Sequence, residues 1–280
     1  MSYRPVLNRS FFNERNITYQ IKYEEMYVNL DDPEIDQAHI HGDAYEIYLN
    51  VSGDVSFFMG SKLYPVKRGD IVFTKAGDVH FCVYHSACKH THYCLWFDYP
   101  KTSALAALLP AFEENLPRFF SLPSEDKEHI LQLFEQFQTA ETEKDSLSSS
   151  VCFLQILEFL HRRISGACIK NHKELPNDLQ AVLNDIDKNF THIQSIGELL
   201  KNHFISSATL NRRFQKYLHV SPQKFLTAKK LAYAKRLLSE NASVTDAYLK
   251  SGFSDYSRFI SLFKKKFAIT PLQFKRSIGL

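Results

Sequence analysis

The chain has 280 residues, and its 44% hydrophobic and 14% aromatic content excludes a disordered chain. Its 34 Lys and Arg against 31 Asp and Glu give a formal charge of +3, but residues 176–280 hold 17 basic and 7 acidic residues (+10) while residues 1–175 hold 17 and 24 (−7). That asymmetry points to nucleic acid as a partner, whereas no run nears the roughly 18 apolar residues of a membrane span, no secretion signal is visible, and five cysteines, an odd number, fit a reducing, cytoplasmic setting better than a disulfide scaffold.

Residues 20–98 are rich in Val, Ile, Phe and Tyr and carry turn signals about every ten residues, such as Ser52-Gly53-Asp54, Gly60-Ser61 and Gly69-Asp70. Short strands at that spacing predict an antiparallel sandwich or small barrel. Residues 125–138 place Ile130, Leu133, Phe134 and Phe137 on one helical face. Residues 151–160 are apolar almost all round, with only Gln155 and Glu158 polar. Such a helix must bury two faces, one on its own domain and one available to a second copy of the chain. Turn formers at 169–177 mark a linker. Beyond it the chain reads as helix throughout. Leu179, Val182, Leu183, Ile186 and Phe190 form one stripe, and Ser221-Pro222 opens a long helix. That helix carries Phe225, Leu231, Ala234 and Leu238 on one side, with Lys229, Lys230, Lys235 and Arg236 on its remaining surface.

Six of the twelve histidines lie between His39 and His92. His39-Ile40-His41, Glu46 and Gly53 form one group, and Gly69, Lys75-Ala76-Gly77 and His80 a second. Together they resemble the two cupin motifs, with Lys75 in place of the usual proline and Tyr84 where asparagine is frequent. The resemblance implies a small β-barrel in which His39, His41, Glu46 and His80 either hold a divalent metal or line an effector pocket. Imidazole and carboxylate together suit Fe, Mn, Ni or Zn. A second cluster comprises Cys82, His85, Cys88, His90, His92 and Cys94. Read as a hairpin turning near 86–89, it puts His90, His92, Cys94 and Trp96 on one face, and Tyr93, Leu95 and Phe97 on the other. It is either a soft-metal or thiol site, or buried cysteines beside surface histidines. The spacing matches no zinc signature and favours the latter. Cys152 and Cys168 read as core or surface residues without a site.

The basic half contains a repeat. Leu210, Phe214, Pro222 and Phe225 recur 49 residues later as Phe259, Phe263, Pro271 and Phe274. Each copy is a short helix, a break and a second helix opened near Ser206 or near Ser254-Asp255, a helix-turn-helix pattern. The i, i+4 pairs Leu210/Phe214 and Phe259/Phe263 must turn inward. The opposite face of the first copy then presents Ser207, Ala208, Asn211 and Arg212, where Arg can fork onto guanine and Asn onto adenine. The second copy presents Tyr256, Ser257, Ile260 and Ser261, a set poorer in bidentate donors. Arg213, Lys216, Arg258, Lys264, Lys265 and Lys266 are the expected phosphate contacts.

Residues 178–280 resemble the DNA-binding domain of the AraC/XylS family of bacterial transcription regulators, most specifically in Gly252-Phe253-Ser254-Asp255-Tyr256-Ser257-Arg258-Phe259, Phe263-Lys264-Lys265 and Thr270-Pro271. The linker helix matches in Lys230-Leu231, Ala234 and Leu237-Leu238. The glycine the family tends to have three residues before each proline is His219 and Ala268 here, so those turns are made without glycine. A frequent family arginine is Ser261.

The resemblance implies an α+β multidomain chain. A cupin-like antiparallel β-barrel occupies 1–103, a helical support and dimerisation segment 104–168, a linker 169–177, and an all-α domain of two helix-turn-helix units joined by a long helix 178–280. The function it implies is that of a DNA-binding regulator rather than an enzyme, responding to a small-molecule effector, often a sugar in this family. Promoter DNA, the effector and a second copy of the chain are its expected partners, and RNA polymerase is a further one. Two rival readings are a metal-dependent cupin enzyme with an autoregulatory DNA-binding tail, and a ligand-independent regulator whose barrel only dimerises.

Overall fold

The computed structural model describes residues 8–9, 17–30, 44–75, 80–99, 119–164 and 173–277. His39, His41, the Ala76-Gly77 step and Cys168 lie outside them. Nine strands are described in the N-terminal half: β1 (Asn8–Arg9), β2 (Thr18–Tyr27), β3 (Tyr45–Ser52), β4 (Val55–Met59), β5 (Lys62–Val66), β6 (Ile71–Thr74), β7 (His80–Tyr84), β8 (Lys89–Asp98) and β9 (Phe119–Phe120). All pair antiparallel, in a six-stranded sheet of order β1-β2-β8-β3-β6-β9 and a three-stranded sheet of order β5-β4-β7.

The expected cupin-like barrel does not form. Among the described residues no ladder joins one sheet to the other, so the two sheets are not closed. The reason is visible in the pairing. β7 pairs with β4 and the next strand, β8, with β2 and β3, so the chain passes from one sheet to the other without bridging them, and the sheets meet face to face through side chains. The expected hairpin at 86–89 also fails as a ladder, because β7 pairs with β4 while β8 joins the other sheet.

Strand alternation creates three apolar layers. The outer face of the large sheet, with Tyr19, Ile21, Ile47, Leu49, Leu95 and Phe97, packs on α1 (Ser124–Glu143) and α2 (Ser146–Ile164). Between the sheets lie Tyr48, Phe57, Met59, Val72, Cys94 and Trp96. The outer face of the small sheet, with Phe58, Leu63, Phe81 and Val83, packs on the C-terminal half. The apolar helix at 151–160 buries one broad face (Phe153, Ile156, Leu157, Leu160), while Leu147 and Val151 remain exposed.

Seven helices are described in the C-terminal half: α3 (Asn177–Asn189), α4 (Ile196–Leu200), α5 (Ser207–Leu218), α6 (Pro222–Ser239), α7 (Val244–Lys250), α8 (Tyr256–Phe267) and α9 (Pro271–Ser277). Side-chain caps start six of them: Ser195, Ser206, Ser221, Ser243, Asp255 and Thr270 each accept a backbone N–H from three residues on. The first unit packs Leu210, Phe214 and Leu218 against Leu179, Val182, Leu183 and Phe225, and the second packs Phe259, Phe263 and Phe274 against Leu231, Ala234 and Leu238. α6 therefore contributes to both cores. Lys230, at its middle, is 6% exposed, against its expected place on the helix surface. Its Nζ donates to the carbonyls of Ile193 (2.7 Å) and Gly252 (2.6 Å), which ties a loop of the first unit to the turn of the second. Gly252 has φ +78°, and a Cβ there would lie 2.0 Å from the Thr191 carbonyl oxygen, so only glycine admits this approach.

Both glycine-free turns exist. His219 (φ 53°) and Ala268 (φ 62°) end α5 and α8 in the left-handed region. An L-residue pays about 1–2 kcal/mol there, partly offset by the flexibility that glycine would add to the unfolded chain. Ala268→Gly is therefore expected to stabilise the protein by about 0.5–1 kcal/mol, read as a higher denaturant midpoint at unchanged slope. An unchanged or lower midpoint would show that the turn carries no strain.

Candidate functional site

Two places gather polar chemistry. The first lies between the sheets, where the pairing register sets polar rows across the inner face of the large sheet. One row is Glu24–His92–Asn50, the next Lys22–Cys94–Tyr48, and the third Gln20–Trp96–Glu46–Thr74. Glu46 and His80 meet across the sandwich, with Oε2 and Nε2 2.8 Å apart and both side chains buried. His90 and His92 are buried and stacked with ring centroids 4.8 Å apart, so they are not surface residues as expected. His90 Nδ1 donates to the Ser52 carbonyl (2.7 Å), and its Nε2 lies 3.2 Å from the Tyr48 hydroxyl. Gly53 lets that ring in, since a Cβ at Gly53 would stand 2.4 Å from His90 Nδ1.

Burial, and then the His92 ring, lower the His90 pKa to about 4. The hydrogen bond from His92 is the main cause holding Glu24 down to about 2. Burial pushes the Tyr48 hydroxyl and the Cys94 thiol up, so Cys94 is a poor thiolate. Asn50 Nδ2, Thr74 Oγ1 and His92 Nδ1 are buried without a hydrogen-bond partner among the described residues. Such atoms cost stability unless something else satisfies them.

Of the four cupin-motif residues, the structure brings Glu46 and His80 together, while His39 and His41 fall outside the described residues. Glu46 and His80 satisfy each other directly, and no group of three metal-ligating side chains occurs among the described residues. Sequence reasoning missed Glu24, Tyr48 and Asn50. Their period-2 spacing on β2 and β3 was the available signal.

The second place is the outward face of the two units. Ser207, Ala208, Asn211 and Arg212 are exposed on α5, and Asn211 Nδ2 donates back to the Ser207 carbonyl (3.0 Å). On α8, Tyr256, Ser257 and Ser261 are exposed and Ile260 is half-buried. Lys216, Arg258, Lys264 and Lys265 are exposed. Arg213 instead pairs with Asp178 (Nη2–Oδ2 3.0 Å), fastening α5 to α3. Lys266 is half-buried, and desolvation lowers its pKa to about 8.

Comparison with known proteins follows this division. Residues 199–277 match the model of a helix-turn-helix domain, and residues 27–157 match that of an AraC-like ligand binding domain. The chain belongs to the AraC/XylS family of transcription regulators. It is 26% identical over 261 residues to the HTH-type transcriptional activator RhaS of Enterobacter sp. (strain 638), covering 88% of this chain and 91% of that protein. RhaS of Escherichia coli O139:H28 is 26% identical over 247 residues, 85% of this chain and 87% of its own. Among solved structures, a probable AraC family transcriptional regulator from Rhodopseudomonas palustris is 28% identical over 37% of this chain and 98% of its own, at a TM-score of 0.33. No described helix is long and apolar enough to cross a membrane.

The buried imidazole has a consequence for stability. The unfolded chain takes a proton at His90 near 6.5, the folded chain only near 4, so protons favour unfolding in between. The stability contributed by neutral His90 is complete above pH 6.5 and declines as pH falls towards 4. Thermal melts across this range should show that decline, and His90→Gln should flatten it. A His90→Gln profile parallel to the wild type would assign the decline to other groups.

Proposed function

We infer that this protein, a sequence-specific DNA-binding transcription regulator of the AraC/XylS type, reads DNA through the outward faces of its two helix-turn-helix units. We propose that α5 is its principal base reader, with Asn211 and Arg212 discriminating, Ser207 and Ala208 lining the groove, and α8 contributing less through Tyr256, Ser257, Ile260 and Ser261. Lys216, Arg258, Lys264 and Lys265 contact phosphate. Arg213 and Lys266 serve the fold first, because one is ion-paired and the other half-buried. The two units occupy successive major-groove segments about one helical turn (~34 Å) apart.

One observation carries this reading. The small sheet is seated on the first unit, yet the α5 face remains open. Phe58 and Phe81 pack on Phe225 at 5.6 and 6.4 Å, and Gln180 Nε2 donates to the Ser61 carbonyl (2.9 Å), while Ser207, Ala208, Asn211 and Arg212 stay exposed. A docked sensor and an open reading face can coexist.

The same contact supplies a route for regulation. A small molecule engaging Asn50, Thr74 and His92 between the sheets would press on β4 and β7, whose outer residues Phe58 and Phe81 bear on the first unit. It shifts DNA affinity by as much as it distinguishes two arrangements of that contact. The boundaries follow as a sensor of sheets and helices up to about residue 168, a linker that includes Lys173, which bridges Leu63, and a DNA-binding domain from 178. The regulator works as a homodimer at its promoter, where RNA polymerase is the further partner.

Arg212→Ala should lose about 1–3 kcal/mol on the cognate site and relax specificity at one base pair. Gel-shift titration against cognate and random DNA checks this, and an equal loss on both would make Arg212 a phosphate contact. For the sensor, a panel of sugars and other small polar molecules is screened by thermal melt, since a ligand of the folded state raises the melting temperature. A shift that Asn50→Ala abolishes supports the interior site. A shift that Asn50→Ala leaves intact places the effector elsewhere.

A further inference from the structure

The turn between α4 and α5 holds a phenylalanine that the fold does not use. Phe204 has a relative exposure of 112%, and no ring or cation contact engages it among the described residues. The first helices of the two units are capped 48 residues apart, at Ser195 and Ser243, so at this point of the repeat Phe204 stands where the second unit has Gly252, and Ile205 where it has Phe253. Ile205 and Phe253 are the residues that pack on the cores: both are half-buried, and Phe253 lies on Phe259 with ring centroids 5.2 Å apart. Phe204 is left outside both roles.

The turn that carries Phe204 is well pinned. The backbone N–H groups of Lys201, His203 and Ile205 donate to Glu198, Leu200 and His203 at 3.1, 3.1 and 2.9 Å. His203 Nε2 lies 2.8 Å from Asp185 Oδ2 of α3, and Ser206 caps α5 by accepting the Thr209 N–H. Phe204 is thus two residues before the cap of the reading helix and three before Ser207. Its sequence neighbours Lys201, Asn202, Ser206 and Ser207 are exposed and carry no negative charge. The pinned turn thus holds an apolar side chain beside the N-terminus of α5, the end of a reading helix that meets base edges in a groove.

We propose that Phe204 is a DNA-reading residue, packing its ring on a thymine methyl at the edge of the segment read by α5. The thymine C5-methyl is the apolar feature of the major groove, and a phenylalanine ring is a suitable partner for it. The assignment rests on the reading that α5 enters the groove. It adds to the hydrogen-bonding code of Asn211 and Arg212 a preference that no polar side chain supplies. The free ring makes no contribution to folding that DNA contact would forfeit.

The test uses the full-length protein and a duplex selected by that protein from a random pool. Each thymine under the first unit is replaced in turn by uracil, which removes the methyl and keeps every hydrogen-bonding edge. The wild type should lose about threefold to tenfold in affinity at one such position, the size expected for one buried methyl group. Phe204→Ala should show the same loss on the thymine duplex and no further loss on the uracil duplex, with an unchanged melting temperature. If Phe204→Ala retains the wild-type discrimination between thymine and uracil, the proposal is overturned. A loss that is equal on all sequences, or a changed sedimentation coefficient with unchanged DNA affinity, overturns it as well, by placing the ring on the sugar-phosphate backbone or on another protein surface. Arg212→Ala is run in parallel. Should it also leave affinity unchanged, the reading of α5 fails. Should it weaken binding while Phe204→Ala does not, only the Phe204 assignment falls.

Discussion

Strands β4 and β7 each have two faces, and that alternation organises the molecule. Phe57 and His80 point between the sheets, where their rings stack at 5.7 Å and His80 meets Glu46. The next residues along, Phe58 and Phe81, point outward onto Phe225 at the start of α6, which also packs on Phe214 of α5 at 5.7 Å. Because side chains of adjacent residues in a strand leave opposite faces, a displacement that moves one must move the other. The sensor interior and the core of the first DNA-binding unit are therefore separated by a single layer of backbone. Close-packed interiors transmit such displacements rather than absorbing them.

The second unit stands one step further away. Among the described residues it shares no apolar cluster with the sheets, and it is linked to the first unit through α6 and the Lys230 ammonium. Burial lowers the pKa of that lysine, so its charge is costly, and the two carbonyls it serves offset the cost. Lys230 thus ties the two units together, while among the described residues the apolar contacts of the sheets reach the first unit and not the second. A signal from the interior should thus reach the two half-sites unequally.

The DNA-binding half was largely legible in its sequence. Caps at Ser206, Ser221 and Asp255 and the buried pairs Leu210/Phe214 and Phe259/Phe263 are local signals, and local signals survive folding. The sensor was less legible. Period-2 patterning shows that residues alternate, but not which strand edges pair, so an open pair of sheets and a closed barrel look alike. Nothing local to Phe58 and Phe81 says whose core they enter. Lys230 read as surface because a buried lysine is rare and its carbonyl partners come from distant turns. His90 and His92 read as surface because their burial is set by the facing sheet rather than by their own strand.

The most direct test of this coupling is amide hydrogen exchange on the full chain carrying Glu46→Gln, which weakens the interior pair without removing its hydrogen bond. The account predicts faster exchange in β7 and in residues 210–226, little change in residues 244–277, and loss of the distant effect in a Phe81→Ala background. Exchange that changes only within the sheets, or equally in both DNA-binding units, would contradict it.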